Sequence, residues 1–186
     1  VNTRIQVEHT VSEELTGIDL VVEQLRIARG EKLQLRQRDV TFNGHVMEFR
    51  INAENPSKNF APSPGLLEYY LPPGGPHVRV DSACYSGYKI PPNYDSMVAK
   101  LIVKGKDRTE VIARAKRALR EFHIGGVHST IPFHLYMLND KKFIEKYEKV
   151  HEVHTEKQIL TSLNHRSIIK LHSTFQDSKA LYFVLD

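Results

Sequence analysis

The sequence holds one cysteine, Cys84, which excludes an internal disulfide framework and suits a reducing compartment. It has no apolar run of the length a bilayer crossing demands, and no stretch laid out as a signal peptide. Blocks of like charge are also missing. The formal net charge of +4 comes from Lys and Arg spread along all 186 residues, which argues for a solvated surface and against a nucleic-acid-binding tail. No internal repeat or low-complexity tract is visible. These absences leave a cytosolic chain, or one from an organelle whose targeting sequence lies outside it, with no nucleic-acid or membrane partner. What is present is 40% apolar residues, enough to bury a core in one domain or two small ones.

The first nine residues, Val1-Asn2-Thr3-Arg4-Ile5-Gln6-Val7-Glu8-His9, alternate polar and apolar side chains and predict a strand edge with one polar face. Ser12-Glu13-Glu14-Leu15 begins a short helical turn that Gly17 ends, and Asp19 caps a second helix that stops at Gly30. Weak alternation over residues 40–54 predicts a strand, with Val46, Glu48, Arg50 and Asn52 on one face and Met47, Phe49, Ile51 and Ala53 on the other. Residues 55–92 are rich in Pro and Gly and predict short strands, at 67–70 and 78–80, between tight turns. A buried strand follows at 97–103. A helix then starts at Asp107, which can accept the Glu110 amide, and is expected to end at Gly125-Gly126. This order of elements is α+β. Beyond Asn139 the chain turns charge-rich, with a helix expected over 153–163 and two strands, 168–174 and 180–185, around a turn.

Asn2, Arg4, Gln6 and Glu8 set a neutral oxygen ligand, a fixed cation, an amide and a carboxylate in one row. A guanidinium can clamp a small planar anion in bidentate fashion, and a neighbouring carboxylate can take a proton from it. The pattern by itself leaves open a solvated edge strand whose polar face meets water. His45 and His123 lack metal-ligand spacing and read as packing or surface residues, and Cys84 as a small buried side chain.

The opening nine residues, with 14–20 after them, closely resemble the signature of biotin carboxylase, the ATP-grasp component of acetyl-CoA, propionyl-CoA and pyruvate carboxylases. The stretch from Gly44 to Pro56, the Pro62-Ser63-Pro64-Gly65 and Pro72-Pro73-Gly74-Gly75 turns, and Tyr94-Asp95-Ser96-Met97 continue the likeness to about Asn139. The resemblance implies the end of an ATP-grasp domain over 1–36 and a β-rich biotin carboxylase C-terminal domain over 37–139. Cofactors implied are ATP, Mg2+ or Mn2+, bicarbonate, and biotin on a carrier protein. Implied partners are a biotin carboxyl carrier domain, a carboxyltransferase, and a second copy in a homodimer.

By the same resemblance, Asn2 is a ligand of a metal bridging the ATP phosphates. Arg4 holds bicarbonate and the carboxyphosphate made from it, and Gln6 and the Val7 amide complete the pocket. Glu8 is the base that deprotonates bicarbonate, and Arg50 stabilises the enolate-like oxygen of biotin. Tyr94, Asp95 and Lys100 are expected to serve structure rather than catalysis. The family's acidic metal ligand ahead of Asn2, its N-terminal domain, ATP-grasp lysines and glycine-rich lid have no counterpart in the sequence. We therefore expect a fragment cut at both ends and inactive alone.

Residues 140–186 are instead similar to part of a protein kinase small lobe of the AGC, phosphoinositide-dependent type. Glu156 falls at the αC glutamate, and Ile144, Val150, Val153 and Leu181 at a peptide-docking groove. Met137 stands where the phosphate-binding lysine belongs, and the glycine-rich loop, catalytic loop and Asp-Phe-Gly are missing. This tail is expected to be a natural fusion, a sequence-assembly join or an engineered chimera. The alternative function is a non-catalytic assembly or peptide-docking module of a carboxylase–kinase fusion.

Overall fold

The longest strand, Met97–Gly105, buries Val98, Ala99, Leu101, Ile102 and Val103 to 3% exposure or less. A strand covered on both faces needs partners on both, and that requirement organises the unit around it. The computed structural model describes residues 4–146, 171–176 and 181–185. The chain forms two units, Val1–Asn139 and Asp140–Asp186.

In the first unit the elements run in this order: α1 (His9–Thr16), α2 (Leu20–Ala28), β1 (His45–Asn52), β2 (Glu54–Asn55), β3 (Ala61–Pro62), β4 (Gly65–Leu66), β5 (Tyr69–Leu71), β6 (Val78–Asp81), β7 (Lys89–Ile90), β8 (Met97–Gly105), α3 (Arg108–Glu121), β9 (His123–Gly125) and α4 (Ile131–Met137). Strands β1, β8 and β6 form an antiparallel sheet with β8 in the middle. The small pairs β2–β3, β4–β7 and β5–β9 surround it, so the architecture is α+β.

The two faces of the central sheet differ because the strands alternate. Phe49, Ile51, Ala99, Leu101 and Val103 join Ala115, Ala118 and Leu119 of α3, and Phe122 just after it, in the core. Glu48, Arg50, Lys100 and Arg79 take the opposite parity, and α1 packs on β1 and β8. The Asp107 carboxylate caps α3 by accepting the Glu110 N–H at 2.8 Å, as expected, and such a cap contributes about 1 kcal/mol.

Several expectations need correction. Residues 4–8 form no strand; they turn directly into α1, which starts at His9 and ends at the left-handed Gly17. Exposure still alternates along them, with Arg4, Gln6 and Glu8 exposed and Ile5 and Val7 half-buried, so the pattern was real and its periodic cause was not. Of the strand expected over 40–54, His45–Asn52 form β1, and Glu54, after a break at Ala53, already belongs to β2. Gly125-Gly126 does not end α3. The helix stops at Phe122, and Gly125 pairs with Tyr69 across β5–β9, where a Cβ would overlap the tyrosine ring. Of the strand expected over 67–70 only Tyr69 and Tyr70 are strand, as part of β5; Leu67 and Glu68 lie between β4 and β5, where their amides donate to the Tyr88 and Gly125 carbonyls.

In the second unit, α5 (Lys141–Lys146) is followed by β10 (Leu171–Gln176) and β11 (Leu181–Leu185), which pair antiparallel. The two expected strands are therefore present. The helix expected over 153–163 lies outside the described residues. No helix among the described residues is long and apolar enough to cross a membrane.

Candidate active site

The charged face of the central sheet is closed by α1 and the turn before it, and several polar contacts tie them together. The Thr10 hydroxyl donates to the Glu48 carboxylate. Lys104 Nζ donates to the Glu14 carbonyl at 2.6 Å, and Lys100 Nζ to the Val7 carbonyl at 3.2 Å. Arg79 holds Asp81 through Nε and Nη2 at 2.8 and 2.9 Å, and its Nη1 reaches Glu13 at 2.9 Å. The second Glu13 oxygen accepts the Leu20 N–H at 3.0 Å and so ties the start of α2 to α1. Buried or half-buried charges of this kind persist only when paired and hydrogen-bonded.

These ion pairs move the acid–base equilibria in consistent directions. Hydrogen bonds from Arg79 hold the Asp81 carboxyl below the ordinary carboxylate range, and Lys100 and His9 reinforce the shift. The Asp81 bond in turn raises the Arg79 guanidinium above its ordinary value. Burial pushes up the Tyr70 hydroxyl and the Cys84 thiol; Cys84 is half-buried, not fully buried as expected.

Within this frame Glu8 sits at the N-cap of α1, but its side chain makes no capping bond. Its carboxylate instead accepts from Arg50 Nη2 at 3.0 Å. Arg50 is also 3.8 Å from Glu48, whose side chain is 6% exposed, while Glu8 and Arg50 are each 52% exposed. Arg50 is anchored from behind: its carbonyl accepts the Thr130 hydroxyl at 3.1 Å and lies 2.9 Å from His134 Nε2. His134 packs edge-on against Phe49, and burial lowers its pKa.

The structure thus brings Glu8, Val7 and Arg50 together and leaves Arg4 on another contact. Arg4 donates to its neighbour Ile5 and lines an apolar groove with Leu20, Ile27 and Leu33. The exposed Gln6 offers its carbonyl to His9 at 2.7 Å to the ring and 3.2 Å to the amide. Asn2 and Glu156, along with Val150 and Val153, lie outside the described residues. Ile144 is half-buried in α5, and Leu181 opens β11. Among the described residues, no group of three or more His, Cys, Asp or Glu could hold a metal. The pattern of the sequence pointed to neither Arg79 nor Thr10, and Lys100 was expected only to serve structure; their contacts depend on parity across three strands.

A family model described as the biotin carboxylase C-terminal domain matches residues 48–156, more than half of the chain. The chain belongs to this family. A second model, described as the ATP binding domain of the carbamoyl-phosphate synthase L chain, matches residues 1–36. Biotin carboxylase 1 of Bacillus subtilis is 62% identical across 77% of this chain and 32% of its own length. A pyruvate carboxylase component of Methanothermobacter thermautotrophicus is 47% identical across 96% of this chain and 38% of its own length. Among solved structures, the biotin carboxylase domain dimer of Hydrogenobacter thermophilus 2-oxoglutarate carboxylase, in complex with MgADP, ADP and bicarbonate, superposes with a TM-score of 0.75. It is 50% identical, over 76% of this chain and 31% of that one. The chain spans about a third of the length of these relatives.

The carboxylase match runs to residue 156, past the boundary expected at Asn139, and the Methanothermobacter relative continues through most of the tail. These relatives give the kinase likeness of residues 140–186 no support.

Proposed function

We propose that this biotin carboxylase chain carries the bicarbonate and biotin end of a carboxylation site, and that the rest of the site belongs to a longer protein or to a separate ATP-binding region. The observation that carries the reading is the Glu8–Arg50 contact at 3.0 Å. It joins the proposed base to the proposed biotin-binding cation, from the two segments that match separate family models.

The residues fit a small anion and the polar ring system of biotin. Glu8 and Arg50 are half exposed and face each other, so an entering bicarbonate can give its proton to the Glu8 carboxylate beside a fixed cation. Arg4, Gln6 and the Val7 N–H would hold the anion, and Arg50 would then stabilise negative charge on the biotin oxygen. The carboxylates around Arg50 keep its guanidinium neutralised until an anion replaces one of them. ATP with its divalent metal would supply the phosphoryl activation. The described residues offer no metal cluster of their own, and Asn2 is the proposed ligand from this chain. A carrier domain bearing biotin, a carboxyltransferase and a second carboxylase copy are the proposed partners.

The chain should be supplied with the ATP-grasp region of a biotin carboxylase and assayed for bicarbonate-dependent carboxylation of free biotin. Carboxylation that falls about 10²-fold or more with Arg4→Ala supports the reading, as loss of one charge-stabilising donor costs that much. Undiminished activity in Arg4→Ala would refute the role of Arg4. The chain alone is expected to show no bicarbonate-dependent ATP cleavage.

A second reading, an assembly module, draws on the exposed apolar side chains of α2 and its flank, Val21, Leu25, Ile27 and Leu33. It predicts no carboxylation in the same assay. The kinase-like, peptide-docking form of this reading rests on sequence likeness in the tail alone.

A further inference from the structure

Two cations stand directly opposite each other on the charged face of the sheet: Arg50 of β1 and Lys100 of β8 are register partners. Like charges at facing positions destabilise a sheet, so each needs its own counter-group. Arg50 turns to Glu8 and Glu48. Lys100, whose side chain is 12% exposed, turns to Asp81 Oδ2 at 3.7 Å and to the Val7 carbonyl at 3.2 Å. Asp81 is the register partner of Lys100 on its other side, and the Arg79 fork fixes it.

The Val7 carbonyl belongs to the peptide that joins Val7 to Glu8. An ammonium fixed on that oxygen sets the plane of the peptide, and with it the direction in which Glu8 leaves the chain toward Arg50. Residues 4–8 have no ladder of strand hydrogen bonds to hold them, and this contact, across 93 residues, ties their peptide to β8.

We propose that Lys100 is a positioning residue of the site: its ammonium fixes the Val7–Glu8 peptide and so aims the Glu8 carboxylate at Arg50. This goes beyond the expectation that Lys100 only stabilises the fold, and it rests on the bicarbonate-pocket reading above.

The test uses the full 186-residue chain, 15N-labelled, titrated with sodium bicarbonate against a sodium chloride control. In the wild type, bicarbonate shifts the Val7 and Glu8 amide signals saturably. Lys100→Met moves the Glu8 and His9 signals in the free protein and raises the half-saturating bicarbonate about tenfold, the loss expected for one charge-assisted hydrogen bond. The Leu101 and Ile102 amides keep their exchange protection, which a merely structural lysine would not allow. Lys100→Arg restores most of the bicarbonate response. If Lys100→Met does not fold, Lys100→Gln is used with the same expectations. Unmoved Glu8 and His9 signals with an unchanged bicarbonate response would overturn the proposal. A wild-type chain blind to bicarbonate would instead sink the pocket reading, and the Glu8 and His9 signals alone would then decide the role of Lys100.

Discussion

Glu8 and Arg50 are 42 residues apart in the chain, and their side chains meet at 3.0 Å. Glu8 occupies a helix N-cap yet gives its carboxylate to Arg50 rather than to the helix. A carboxylate near a helix N-terminus is favoured by the helix dipole in either role, so the fold holds it there at little cost while its oxygens stay accessible. A half-exposed pair of this kind contributes about 0–1 kcal/mol to stability.

Glu8→Gln should therefore lower the unfolding free energy by no more than about 1 kcal/mol, measured by urea denaturation. In the complemented carboxylation assay the same variant should lose about 10²–10⁴-fold in rate, the range for removal of a general base. A large stability loss with retained rate would reverse the assignment.

The imidazole of His134 is depressed in the fold by burial, so below its ordinary pKa of about 6.5 the unfolded chain binds more protons than the folded one. Stability should be full above that pH and fall as pH drops from there through the depressed folded value. His134→Gln should flatten this part of a pH series of urea midpoints. The Asp81 carboxyl, also depressed, should give a second loss only in more acid solution, as pH falls below its unfolded value of about 3.9.

Leu101 has no exposure and lies in the core cluster with the buried face of α3. Leu101→Ala should cost about 2–5 kcal/mol, read from the denaturation midpoint. Leu25→Ala, at a position 61% exposed on α2, should stay within about 0.5 kcal/mol. Similar losses at both positions would mean that α2 is covered in solution.

Gly44 has a φ of +80°, and a Cβ there would sit 2.4 Å from the Gly105 carbonyl oxygen. It opens the turn into β1, whose first residue, His45, pairs with Gly105. Gly44→Ala should destabilise the chain by about 1–3 kcal/mol, seen as a lower Tm. It should also reduce exchange protection at His45 before that at Phe49.

Much of the fold was legible in the sequence because its signals are local. The Asp107 cap, the Gly17 stop, the alternation of Phe49 and Ile51 and the apolar run ending in Val103 each act within a few residues, and the structure has them. The failures also have a local origin. The alternating opening reads as a strand, but it finds no neighbouring strand and turns into α1. Gly125 reads as a helix stop, but it is a glycine because Tyr69 needs the space across a strand pair formed with residues more than fifty positions earlier.

By itself the sequence determined the residue types of the site and their family likeness: Arg4, Gln6, Glu8 and Arg50 stand in recognisable motifs. Only the tertiary structure decided which of them meet. Strand parity placed Glu48, Arg50, Lys100 and Arg79 on one face, α1 closed over that face, and Lys100 bound the Val7 carbonyl. Such contacts depend on the register of strands distant in the chain, and a one-residue slip of one strand would turn that strand's charges to the other face.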